Sequence, residues 1–115
     1  MKYMILIYGA ESDWAAQSPE DMAKGMEAYM AYSDALRKAG KYVSGHELNT
    51  VSTAKKIAVR NGAANVTDGP YADTKEQLGG YYLIEAADEA DAISWAARCP
   101  GASHGLVELR PCIEH

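Results

Sequence analysis

Residues Lys2 to Tyr8 constrain this chain more than any other segment. Read as a strand with a period of two, they set Tyr3, Ile5 and Ile7 on one face and Met4, Leu6 and Tyr8 on the other. Both faces are apolar, so both call for burial. Two helices cover only one face of a small antiparallel sheet, and the second face needs another sheet. The pattern therefore predicts self-association as a homodimer.

The rest of the chain supplies the elements of such a unit. Glu11 to Gln17 reads as a loop holding Asp13 and Trp14. Ser18-Pro19-Glu20-Asp21 opens a helix, with Ser18 as N-cap, Pro19 at the first helical position and acids against the positive end of the dipole. Met22, Met26, Tyr29, Ser33 and Leu36 form the predicted buried stripe, and Gly40 ends the helix. Strands follow at Lys41 to Leu48 and Lys55 to Arg60, with Asn61-Gly62 as a tight turn. Gly80 to Ala86 reads as a third core strand. Asp88 caps a second helix with Ala90, Ile93 and Ala97 as its buried stripe, ended by Pro100-Gly101, and His104 to Cys112 closes the chain as a strand. The order β-α-β-β-(loop)-β-α-β predicts an α+β, ferredoxin-like β-α-β-β-α-β sheet with an added hairpin strand, in a single domain over residues 1–115.

Composition narrows the function classes. A formal net charge of -5, with scattered rather than clustered cations, argues against general nucleic-acid binding. No apolar run approaches the length of a membrane span, and Tyr3 to Tyr8 is too short for a signal-peptide core, so a cytoplasmic address is expected. Cys99 and Cys112 form no C-x-x-C pair and read as reduced structural thiols; no metal and no cofactor is expected. The chain has no Phe but eight Tyr, so its aromatic packing carries hydroxyls that need partners or a cavity.

Polar chemistry concentrates between Val66 and Tyr82. Asp68-Gly69-Pro70 is a turn signal; Asp73, Lys75 and Glu76 follow, then Gly79-Gly80, which let a backbone or a ligand come close. Asp73 to Glu76 also reads as a short capped turn, with Asp73 and Glu76 completing a capping box. Gly79-Gly80 lacks the spacing of a phosphate loop.

Asp68-Gly69-Pro70-Tyr71-Ala72-Asp73-Thr74-Lys75-Glu76-Gln77-Leu78-Gly79-Gly80-Tyr81-Tyr82, with Ala96-Ala97-Arg98-Cys99-Pro100 and Val107-Glu108-Leu109-Arg110-Pro111, resembles the DGPF group of the YCII-related proteins, Tyr71 standing where the motif has Phe. The resemblance implies a ferredoxin-like fold whose sheets pair into a dimeric α/β barrel. Some relatives are lyases or isomerases acting on small ring compounds, and others accompany alternative sigma factors. Characterised relatives pair an acid with a histidine near the first helix, where this chain offers Tyr29, Tyr32 and Ser33 instead.

Two functions follow as expectations. The first is a small-molecule lyase or isomerase working by proton transfer beside the 68–80 loop, with Asp73, His104 and His46 as catalytic candidates. Asp68, Tyr71, Lys75 and Arg110 would then meet a small anionic or hydroxylated ring or acid. The second is a non-catalytic dimeric ligand-binding or regulatory module, favoured where the cavity is filled or the loop charges pair internally.

Overall fold

The computed structural model describes Met1–His115. It contains β1 (Lys2–Ala10), α1 (Glu11–Ala15), α2 (Pro19–Lys38), β2 (Tyr42–Glu47), β3 (Lys55–Arg60), β4 (Ala63–Asp68), β5 (Glu76–Glu85), α3 (Glu89–Arg98), α4 (Gly101–His104) and β6 (Leu106–Pro111). Four strands form an antiparallel sheet in the order β2-β5-β1-β6, which is the ferredoxin-like arrangement. No helix is long and apolar enough to cross a membrane.

Local chemistry explains the helix boundaries. Ser18 accepts from the Asp21 N–H at 3.1 Å with Pro19 just inside α2, and Asp88 accepts from the Asp91 N–H at 2.8 Å to open α3. At the far end of α2, Gly40 takes φ +72°. The Lys41 N–H then reaches back to the Leu36 carbonyl and the Gly40 N–H to that of Arg37, which is the Schellman closure.

Helices α2 and α3 cover one face of the sheet. Tyr3, Ile5, Ile7, Tyr82 and Ile84 from the strands meet Tyr32 and Leu36 of α2 and Ala92, Trp95, Ala96 and Cys99 near α3. These contacts bear out Tyr29 and Leu36 of the predicted α2 stripe and correct its first half and the α3 stripe, whose Ala90, Ile93 and Ala97 are all exposed. Met22 and Met26 are exposed, because the N-terminal half of α2 buries no residue, and Tyr32 takes the central position instead. In α3 the bulky Trp95 turns inward and leaves Ile93 half exposed. Residues Glu11–Ala15, expected as loop, form the short helix α1.

The 55–68 segment also departs from the expected layout. The Asn61-Gly62 turn forms, both residues at positive φ, but β3 and β4 pair only with each other as a separate two-stranded sheet. The added element is thus a whole hairpin outside the main sheet. Its projection shows in the outline of the molecule, 47 × 43 × 18 Å, and in a radius of gyration of 16.1 Å. A compact chain of this length would have a radius of about 13 Å.

Candidate functional site

The helix-covered face holds a layer of tyrosine and serine hydroxyls. Tyr32 donates to the Trp95 carbonyl at 2.7 Å, and Ser33 Oγ and Tyr82 Oη are hydrogen-bonded at 2.7 Å. The Tyr32 and Tyr82 rings meet edge to face with centroids 5.2 Å apart, and the Arg37 guanidinium lies 4.4 Å above the Tyr42 ring. Burial pushes the Tyr29 and Tyr32 hydroxyls well above the ordinary tyrosine range, and the neighbouring Cys99 adds to the effect. Tyr82 is raised by burial and partly drawn back by its bond to Ser33. Burial raises the Cys99 thiol too, against the opposing N–H of Gly101. No buried side-chain nitrogen or oxygen lacks a partner. Packing in this layer thus accounts for five of the eight tyrosines, Tyr3, Tyr29, Tyr32, Tyr42 and Tyr82.

The opposite face of the sheet has no cover within the chain. Opposed residues in an antiparallel ladder share a face, so the register places His46, Tyr81, Leu6 and Glu108 in one row and Ser44, Leu83, Met4 and Arg110 in the next. Met4, Leu6, Tyr8, Tyr81 and Leu83 are only partly buried there. At one edge of this face, a groove of about 580 Å³ runs between the segment before β5 and the start of β6, lined by Tyr8, Thr74, Lys75, Glu76, Leu106, Val107 and Glu108. One ammonium, two carboxylates and two hydroxyls line a partly apolar floor.

The segment leading to this groove is shaped by side chains rather than by a helical turn. Thr74 donates to the Glu76 carbonyl at 2.6 Å, and Gln77 Nε2 donates to the carbonyls of Ala72 and Thr74 at 2.9 and 3.0 Å. The expected Asp73–Glu76 capping box does not form, because Glu76 already pairs with Ala10 as the first residue of β5. Pairing slips at the β1–β5 boundary, Ile7 opposing Gly80 and Tyr8 opposing Leu78, so Gly79 is the extra residue of a bulge. Both glycines admit protein, not ligand. A Cβ at Gly79 would lie 2.6 Å from the Trp14 indole, and one at Gly80 would lie 2.9 Å from the His46 carbonyl oxygen.

Of the seven residues singled out in the sequence, Lys75 lines the groove. His46 and Arg110 share the uncovered face with it, His46 beside Tyr81 with ring centroids 5.9 Å apart. Asp73 is exposed two residues before Lys75. His104 ends α4 in the helix layer, near the sheet edge opposite to β2, and so does not meet His46. Asp68 pairs with Lys55 across the hairpin, so its carboxylate holds β3 to β4 instead of the turn that follows. Tyr71 is 96% exposed beside a second groove of about 590 Å³ under the hairpin. No three His, Cys, Asp or Glu side chains cluster with the geometry of metal ligands. Tyr8, Glu76 and Glu108 were missed as site residues. The alternation of β1 and β6 puts Tyr8 and Glu108 on the uncovered face, and that was the available signal.

The family comparison agrees with the fold. The model of the YCII-related domain matches residues 1–115. An uncharacterised protein of Rhizobium meliloti (strain 1021) is 35% identical over 113 residues, covering 96% of this chain and 91% of its own length. With the whole chain matched and the sheet order that of a ferredoxin-like unit, the chain belongs to the YCII-related domain family.

Proposed function

We propose that this chain is a homodimeric small-molecule binding module, in which two uncovered sheet faces pack together and the groove at Lys75 takes a small hydroxylated acid. One observation carries the reading: a partly buried apolar face continues directly into a groove bearing a cation and several hydrogen-bonding groups. Lys75 would meet the ligand carboxylate, while Thr74, Tyr8, Glu76 and Glu108 would bond its hydroxyls. Binding is favoured over catalysis because no fully buried side-chain nitrogen or oxygen is left without a partner and the two internal histidines lie apart. The Asp68-Gly69-Pro70-Tyr71 motif fits the DGPF group, and two reduced thiols fit a cytoplasmic protein.

A lyase or isomerase reading draws on a different observation, two carboxylates in one groove with Asp73 adjacent and His46 on the same face. In that reading a second copy would exclude water from the groove, and one of these carboxylates would take and return the proton. A screen of small hydroxy acids by ligand-observed NMR separates the readings. Binding that Lys75→Ala abolishes, without conversion of the ligand, supports the binding module. Conversion that Asp73→Asn or Glu108→Gln stops supports the enzyme, and binding unchanged in Lys75→Ala overturns the placement of the site.

A further inference from the structure

The β3–β4 hairpin has no layer of its own chain to rest on. Ile57 opposes Val66 and Val59 opposes Ala64, so these four side chains share one face. Ile57, Val59 and Val66 are 68%, 60% and 57% exposed, and neither strand packs appreciably on any other strand or helix. A lone two-stranded hairpin is marginal in water. Pro70 and Tyr71 line a groove along the other side of the ribbon, with Lys56, Asn65 and Thr67.

Charge indicates what covers the apolar side. Between Lys55 and Asp68 there are three cations, Lys55, Lys56 and Arg60, against the single carboxylate of Asp68, a net of +2. The whole chain carries -5, so the remainder carries -7. A basic, apolar arm thus projects from an acidic body that itself leaves an apolar sheet face uncovered. Another body of the same kind matches the arm in both respects.

We propose that the β3–β4 hairpin is a docking arm that lays Ile57, Val59 and Val66 against a second copy of this chain. Lys56 and Arg60 alternate onto the other side of the ribbon, so they draw the arm to an acidic copy through its net charge of +2 rather than by direct contact. In a two-fold pair the exchange is reciprocal, each body receiving the arm of the other. The inference rests on the self-association proposed above but not on the identity of any ligand.

A thiol probe tests it. Val66→Cys in a Cys112→Ser background leaves Cys99, 1% exposed, as the other thiol. The rate of reaction with an aromatic disulfide reagent is followed across concentrations where sedimentation reports the oligomeric state. The expected result is slowing by about tenfold or more as copies pair, as for a site that reacts only on opening. Adding Lys56→Glu and Arg60→Glu should move both the slowing and the pairing to higher concentration. Sedimentation as a dimer with the thiol still fast overturns the arm and leaves the sheet-face pairing intact. A slow rate in samples that sediment as monomer means the arm lies on its own body, and also overturns it. A monomer with a fast thiol at every concentration overturns both.

Discussion

The Trp14 indole occupies the space that a side chain at position 79 would need: a Cβ built on Gly79 lies 2.6 Å from Trp14 Cη2, and one on Gly9 lies 2.6 Å from Cζ2. Helix α1 is thereby pinned to the bulge where β5 begins, immediately beside the segment that carries Lys75. Gly79→Ala should expel the indole or shift the bulge, at a cost of about 1–3 kcal/mol, as overpacking does. Chemical denaturation with tryptophan fluorescence reads both effects. Unchanged stability and an unchanged emission maximum would show that the indole is free to move.

The link between Lys41 and Asp91 should give the fold an acid-sensitive component. Lys41 Nζ donates to Asp91 Oδ2 at 2.7 Å, and the Ala87 N–H donates to the same oxygen at 3.0 Å. The Lys41 bond, followed by that of Ala87, holds the Asp91 carboxyl below its ordinary value. A carboxyl depressed in the folded state adds stability above its unfolded value and loses it as pH falls through the folded value. Asp91→Asn should therefore lower the melting temperature at pH 7, and the gap to the parent should close only below about pH 4. A gap that persists unchanged at pH 2 contradicts the assignment.

The tyrosine layer predicts sensitivity at the other end of the scale. Tyr29, Tyr32 and Tyr82 all have hydroxyls raised by burial, so the folded state holds their protons more tightly than the unfolded state. Stability is then complete below the unfolded tyrosine value of about 10 and declines as pH rises beyond it. Tyr32→Phe, which leaves the Trp95 carbonyl without its donor, should cost about 1–3 kcal/mol at neutral pH and lessen the alkaline decline. Equal slopes for parent and variant above pH 10 would place the alkaline loss elsewhere.

Much of this architecture is written in short-range patterns, and the exceptions have a common cause. The caps at Ser18 and Asp88, the Gly40 closure and the Asn61-Gly62 turn depend on a few neighbouring residues, and each forms as read. Burial depends on what lies opposite. Spacing places Met22 and Met26 in a stripe with Tyr29, but nothing in the sequence says that the first half of α2 goes uncovered. Asp73 and Glu76 carry a helix-start pattern, which strand pairing of Glu76 with Ala10 overrides. Ile57 and Val59 alternate like core-strand residues and lie instead on a detached hairpin. The site shows the same division: Lys75 was legible from its charged loop, whereas Tyr8 and Glu108 join it only through the register of β1 on β6.

Pairing through the uncovered sheet face is the central claim, and Met4, Leu6, Tyr81 and Leu83 make it testable. Each is partly exposed in the single chain and lies on the face opposite the helices, so a charge at position 6 should not disturb the core of Ile5, Leu36 and Ile84. Sedimentation equilibrium at micromolar concentration should find the parent protein dimeric, with Leu6→Glu shifted to a monomer or driven to aggregate. A parent protein that sediments as a folded monomer throughout that range would contradict the account.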